Sequence, residues 1–294
     1  MYAIIGITGN VGRVAANLLL EKKLPVRAVL RNPVKGGEWK AKGAEIAIAE
    51  LHNAAGLENA FKNTSGVFVM TPPLFDSNDP LSDHNQMLSA LVSAIKKAKP
   101  KKIVYLSSVG AHLENGTGAI RKLYDMEQAF RTLDIPTAGI RAAWFMENFQ
   151  GSIAYAKESG KLPSFLNPLD LSIPMVSTND IGKLAAALLN ENWEGHRIIE
   201  LAGPCSYSAK DVAYVLSYQL GIPVDAEAIP AEMYAASYES FGFTEAAAQM
   251  MAEVNDGFNS EHIIFEKAEL EQVTGDTLLE DAINSYVHSS RKDF

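Results

Sequence analysis

Cysteine is nearly absent from this 294-residue chain: Cys205 stands alone, so no disulfide can close within it and the pattern suits a reducing compartment. Following Gly203-Pro204, Cys205 reads as incidental rather than as a nucleophile. Basic clusters are equally scarce. No run of Lys or Arg exceeds pairs such as Lys96-Lys97 and Lys101-Lys102, and 35 acidic against 26 basic residues leave a formal charge of -9. That balance repels a polyanion and argues against nucleic acid as a partner. No apolar stretch reaches the roughly 20 residues of a bilayer-spanning helix, and Met1 leads into the strand-like Tyr2-Ala3-Ile4-Ile5 without a basic leader. A cytoplasmic protein with no membrane span is expected. The six histidines show no ligand spacing with Cys or acidic residues, so no metal is expected. Gly-x-Ser-x-Gly elbows and Gly-Lys-Ser/Thr turns are missing too, which sets aside the hydrolase and triphosphatase chemistries built on them.

What is present is a globular composition, 47% hydrophobic and 21% charged, enough for one large α/β domain, alone or with a small lobe. Over the first two hundred or so residues, β-branched runs alternate with helical stretches, the signature of βαβ units on a parallel sheet. The predicted strands are Ala3–Ile7, Val26–Leu30, Glu45–Ala49, Gly66–Met70, Lys102–Leu106, Thr137–Arg141 and Arg197–Leu201. Helical patterns fill 11–22, 36–42, 54–62, 82–98, 119–133 and 179–190. Right-handed crossovers wind such units into a doubly wound parallel sheet of the Rossmann type, about seven strands here, with its ligand crevice at the strands' carboxyl ends. The expected division is a nucleotide-binding domain over 1–150, continued by 171–204. A smaller, mainly helical substrate-side lobe is expected over 151–170 and 205–294, where the rhythm turns Ala-, Met- and Tyr-rich.

The first strand runs into Gly6-Ile7-Thr8-Gly9-Asn10-Val11-Gly12 and then into an amphipathic helix whose buried stripe is expected at Val14, Leu18 and Leu19. In such a turn the early glycines, Gly6 and Gly9, allow a close approach of backbone to pyrophosphate. The last, Gly12, lets helix and strand pack without a Cβ between them. The free N–H groups and positive dipole end of the helix then face phosphate. NAD enzymes usually place an acid about 20 residues further on to hold the ribose hydroxyls. Here the second strand ends in Arg31-Asn32-Pro33-Val34-Lys35, with no acid between Glu21 and Glu38. Arg31 and Lys35 suit a 2′-phosphate, which favours NADP(H) over NAD(H); the alternative is a solvated basic loop.

Two further strand ends face the same crevice. Val67–Met70 runs into Thr71-Pro72-Pro73, a loop stiffened by its proline pair, and Ile103–Leu106 into Ser107-Ser108-Val109-Gly110. Those hydroxyls either contact the nicotinamide end of a cofactor or satisfy nearby backbone groups. Together with Ile140-Arg141-Ala142-Ala143-Trp144-Phe145-Met146-Glu147-Asn148 and Val176-Ser177-Thr178-Asn179-Asp180-Ile181, these motifs resemble the NmrA-like branch of the atypical short-chain dehydrogenase/reductase superfamily. The resemblance implies NADP(H) binding, with Asn10 and Val11 at the pyrophosphate and Arg31 at the 2′-phosphate. Thr71, Ser107 and Ser108 would fall near ribose and nicotinamide, with Phe145 and Asn148 bounding the substrate pocket. It implies either reductase activity on small conjugated molecules or a nonenzymatic role as a sensor of cofactor redox state that would signal through a protein partner. The acid such relatives carry after the third strand stands here as Glu50.

Departures concern catalysis. None of the ten tyrosines has Lys four residues later, so the usual Tyr-x-x-x-Lys dyad is missing, and with it the expectation of sugar-nucleotide epimerisation. Relatives of this kind often carry Lys or His four residues before a glutamate, but counting back from Glu127 lands on Leu123, in the apolar stripe Leu123, Met126, Phe130, Leu133. Lys122 and Tyr124 lie one step to either side, about 100° round the helix. They are the weak catalytic candidates, Lys122 expected in solvent and Tyr124 at the pocket edge or in the core. Without a positioned acid, hydride transfer suits acceptors that delocalise negative charge and take a proton afterwards: quinones, azo compounds and activated alkenes.

Overall fold

The computed structural model describes residues 1–266 and 270–289, with backbone alone at 288–289; residues 267–269 and 290–294 of the expected lobe lie outside the described residues. The chain opens with β1 (Tyr2–Ile5), α1 (Asn10–Glu21), β2 (Val26–Leu30), α2 (Gly37–Ala41), β3 (Glu45–Ile48), α3 (Ala54–Phe61) and β4 (Gly66–Val69). After these come α4 (Pro80–Ala98), β5 (Ile103–Ser108), α5 (Arg121–Phe130), β6 (Thr137–Ala142), β7 (Trp144–Phe145), α6 (Ile153–Ser159), β8 (Lys161–Ser164) and β9 (Ile173–Val176). The remainder is α7 (Thr178–Asn190), β10 (His196–Ala202), β11 (Ser206–Tyr207), α8 (Ala209–Leu220), β12 (Asp225–Ala228), α9 (Tyr234–Ser240), α10 (Glu245–Asn259), β13 (Glu271–Thr274) and α11 (Leu279–Ser289).

Eight strands form the main sheet in the order β13-β10-β6-β5-β4-β1-β2-β3, parallel at every pairing. The strands are apolar on both faces because helices cover both. Ile4, Phe68, Val104 and Leu106 pack with α1 and α7. Their neighbours Ala3, Ile5, Val67, Val69, Ile103 and Tyr105 pack with α3, α4 and α5, the alternation a pleated strand enforces. The order in which strands are added reverses between β1 and β4, so the crevice opens above their carboxyl ends. The doubly wound parallel fold is the one expected, with one strand more. The stripe on α1 is turned slightly: Ala15, Ala16 and Leu19 are buried while Val14 and Leu18 are half-buried. Gly182 of α7 packs against this helix so closely that a Cβ there would lie 2.5 Å from Val14 Cβ.

The extra strand, β13, comes from the segment assigned to the smaller lobe; it pairs with the outer edge of β10, Ile199 to Glu271 through Ala202 to Thr274. Its Glu-Gln-Val-Thr carries little hydrophobic signal, since an edge strand of this kind is held mainly by ladder bonds, here aided by Gln272 Nε2 donating to Glu200 at 3.1 Å. The lobe itself is built on two small sheets, β11-β9-β7 and β12-β8, which gather Met146, Leu162, Met175, Val212, Val254 and Ile283 into a separate core. Thus β9, within 171–204, and β7, within 1–150, pair in one of these smaller sheets. No helix among the described residues is long and apolar enough to cross a membrane.

Candidate functional site

The glycine turn is organised around one carbonyl. Gly6 has a φ of +70°, and its oxygen accepts the Gly9 N–H at 2.9 Å. A Cβ on Gly12 would stand 2.3 Å from that same oxygen, and one on Gly6 would stand 2.3 Å from Met70 Sδ, so side chains are excluded at both places. Gly9 caps α1 without a side chain. The amides of residues 10–12 therefore have no acceptor among the described residues, and they sit at the positive end of a twelve-residue helix.

A cavity of about 450 Å³ opens beside this turn, lined by Gly6, Ile7, Thr8, Arg31, Asn32, Lys35, Glu50, Leu51, Met70 and Pro72. Asn32 shapes its basic end: Asn32 Oδ1 accepts the Val34 N–H at 2.9 Å and caps the 3₁₀ turn Pro33–Gly36 that carries Lys35. The first acid after β2, Glu38, is engaged by Arg13 at 3.0 Å and Lys42 at 2.9 Å. Arg31 and Lys35, by contrast, are exposed and in no ion pair among the described residues. Glu50 lies on the same lining. Asn10 does not line this cavity; it borders a separate one with Arg13, Thr178 and Lys183. Val11 is buried, so what Asn10 and Val11 offer to the crevice is their backbone. Gly9, Val11 and Gly12 shape the turn rather than a cavity wall.

Met70 and Pro72 are shared with a second cavity of about 360 Å³, so the two are halves of one cleft. The second half is mostly apolar. Thr71, Ser107, Ser108, Phe145 and Asn148 all reach it, as does Phe75, and α10 closes it with Met251, Val254 and Phe258. These three roof residues fall in the stretch 205–294 expected on the substrate side, but none of them was singled out from the sequence.

Lys122 corrects the sequence reading. Expected in solvent, it is 5% exposed, lines the second cavity and donates from Nζ to the Pro73 carbonyl at 2.6 Å. The loop after β4 folds over this face of α5, which helical periodicity alone treats as outward. Burial pushes the ammonium down to about 8. His84 of α4, fully buried, is held at about 4 by burial and by the Lys122 charge. Leu123 is half-buried and also lines the cavity. Tyr124 lines neither half of the cleft; it is half-buried with the Arg121 guanidinium 5.1 Å from its ring centre.

Beneath the second cavity lies a charged cluster that the sequence reading did not assemble. Ser107 Oγ donates to Glu127 Oε1 at 2.5 Å, while Arg141 donates from Nε to the same oxygen at 3.0 Å and from its second terminal nitrogen to Glu127 Oε2 at 2.7 Å. Arg141 also pairs with Glu266 at 2.5 Å. Arg141 and Glu127 are both buried, and the two carboxylates hold the guanidinium firmly charged despite burial. An arginine inside the apolar run Gly139-Ile140-Arg141-Ala142 was the available signal, because a buried cation demands a buried partner.

The sequence profile of the NmrA-like family matches residues 2–281. The chain is 28% identical over 255 residues to the NAD(P)H azoreductase of Xenophilus azovorans, covering 86% of each protein. It is 24% identical over 278 residues to quinone oxidoreductase 2 of Escherichia coli strain K12, covering 94% of each. Among solved structures, the NADPH complex of the Escherichia coli NADPH-dependent quinone oxidoreductase superposes with a TM-score of 0.80 at 24% identity, covering 99% of this chain and 100% of that one. The NADP(H) complex of Citrobacter sp. triphenylmethane reductase gives 0.80 at 21%, covering 97% and 100%. These likenesses show that the fold is shared.

Proposed function

The chain belongs to the NmrA-like family, and from that premise we propose that it is an NADPH-dependent oxidoreductase of small conjugated acceptors: quinones, azo compounds or activated alkenes. One observation carries the reading: a single cleft joins a phosphate-seeking, basic half to an apolar half whose most buried polar side chains are Lys122 and Ser107. The residues fit a nicotinamide nucleotide. Unsatisfied amides at residues 10–12 and a carbonyl hub that excludes Cβ atoms make a diphosphate cradle. Arg31 and Lys35, exposed on the lining of the basic half and in no ion pair among the described residues, suit a 2′-phosphate. Relatives named as NAD(P)H azoreductase and quinone oxidoreductase support both cofactor and substrate class.

When bound, the cofactor supplies the hydride. The chain supplies the rest. Apolar walls from Phe75, Phe145, Val254 and Phe258 exclude water and lay a flat acceptor against the cleft floor. Asn148 and Ser108 offer the polar contacts that orient it. Lys122, charged at neutral pH and tethered to the Pro73 carbonyl, stands ready to give a proton to the oxygen or nitrogen of the reduced acceptor. A conjugated acceptor tolerates hydride before proton, so the missing Tyr-x-x-x-Lys dyad is no obstacle.

The test is consumption of NADPH, followed by its absorbance, by the purified protein with a panel of quinones, azo dyes and activated alkenes. Turnover with at least one class is expected. Tight cofactor binding with no turnover across the panel would sink the reductase reading in favour of a redox sensor, and absence of binding would sink both.

A further inference from the structure

A hydroxyl has one proton, and at Ser107 that proton is already committed. Its acceptor is Glu127 Oε1 at 2.5 Å, and because Arg141 bonds both carboxylate oxygens, Glu127 is an acceptor with no proton to return. Ser107 is 2% exposed, Arg141 2% and Glu127 0%, so water does not reach the Ser107–Glu127 bond, and the network meets solvent at Glu266, on the far side of Arg141. Yet Ser107 also lines the second cavity. What it presents there is lone pairs alone, and its partner in the cleft must be a hydrogen-bond donor. Ser107 sits at the carboxyl end of β5, adjacent to β4, whose following Met70 and Pro72 are common to both cavities. It is therefore where the nicotinamide end of the nucleotide enters, and the distinctive donor on that ring is the carboxamide N–H.

Resting on the cofactor reading above, we propose that Glu127 and Arg141 are positioning residues that lock the Ser107 hydroxyl as an acceptor for the carboxamide N–H of the nicotinamide. Ser107 is on this account a cofactor-orienting group and no proton donor, which leaves proton delivery to Lys122. Because the hydroxyl cannot turn, the ring is held in one orientation about its glycosidic bond, and hydride leaves from one face.

The probe is the 3-acetylpyridine analogue of NADP⁺, in which a methyl ketone replaces the carboxamide and the N–H is gone. Affinities of NADP⁺ and the analogue are measured by calorimetry for the wild type, Ser107→Ala and Glu127→Gln. The wild type is expected to favour NADP⁺ by about fivefold, the worth of one such bond. In Ser107→Ala the preference should shrink to near unity. Glu127→Gln should also erase it, since an amide can donate to Ser107 and free the hydroxyl proton to face the ring. A merely structural role for Glu127 would weaken both ligands alike and leave their ratio intact. Should Glu127→Gln not fold, Ser107→Ala decides alone. A ratio unchanged in Ser107→Ala overturns the proposal while leaving cofactor binding standing; no binding of either nucleotide to the wild type removes the cofactor reading and this inference with it.

Discussion

The two halves of the cleft are built on opposite plans. The first is local: its lining comes from residues 5–8, 29–32, 35, 49–51, 70 and 72, the ends of four consecutive strands, and backbone geometry does most of the work. The second is collected from the β4 loop, β5, α5, the β6–β7 connection and α10, and depends on side chains from distant stretches of chain meeting in space. A nucleotide that many proteins share can be held by a turn and a helix end. An acceptor particular to one protein needs a shaped wall, and here that wall is assembled from all of these stretches at once. Substitutions should therefore separate cleanly into those that touch cofactor affinity and those that touch turnover.

The sharpest break in the first half is Gly12→Ala. Its Cβ would lie 2.3 Å from the Gly6 oxygen, backbone that cannot yield without opening the turn. Cofactor affinity should fall at least about a hundredfold, in line with loss of several hydrogen bonds to a charged diphosphate. Calorimetry measures it, and circular dichroism confirms that the helices persist. Near-normal NADPH affinity would remove the turn from the site.

In the second half the matching change is Lys122→Met, which keeps the apolar stem and removes the charge. A lost general acid costs roughly a hundredfold in kcat, and NADPH affinity should stay within about twofold, a change of only some 0.4 kcal/mol. The pH profile adds a sign. The ammonium is the useful form, and burial holds it at about 8, so wild-type kcat should fall as pH rises through that region while Lys122→Met shows no such limb. An alkaline limb that survives the substitution would assign it elsewhere.

A smaller effect should come from Arg31→Ala with Lys35→Ala. Charge-assisted bonds of 1.5–3 kcal/mol set the scale; discounted for the exposure of both side chains, roughly tenfold weaker NADPH binding is expected, with NADH unchanged. Equal losses for the two nucleotides would mean that these cations do not read the 2′-phosphate.

The same contrast explains what could be read from sequence. The glycine turn, the strand segments and the Arg31–Lys35 corner were legible because each depends on neighbours in the chain: a φ of +70° at Gly6 or an acid missing after β2 leaves a local trace. Phe145 and Asn148 were reached through a motif resemblance and do line the cavity. Lys122 was misjudged because helix periodicity knows only one partner surface, whereas α5 is covered both by the sheet and by the Thr71–Phe75 loop. Thr244–Val254 was expected on the substrate side, but which of its apolar residues face the cleft was not readable, since they serve the second core and the cleft at once. β13 escaped because an edge strand of polar residues has no pattern to betray it.

The roof offers the mildest and most specific test. Gly118 has a φ of +50°, and a Cβ there would lie 1.9 Å from the Met250 oxygen on α10, so this glycine is where the helix rests on the turn Gly118–Ile120 that precedes α5. Alanine at 118 must either lift α10 or strain the turn. Lifting is the easier, because α10 belongs to the lobe and Val254 and Phe258 sit at its boundary with the cleft. The acceptor KM should then rise about fivefold, corresponding to roughly 1 kcal/mol, the low end of what overpacking costs. The NADPH dissociation constant should not move, since no residue of α10 lines the nucleotide half. A Gly118→Ala variant that loses cofactor affinity in parallel would show that the halves are mechanically coupled, and the division of labour drawn here would have to be abandoned.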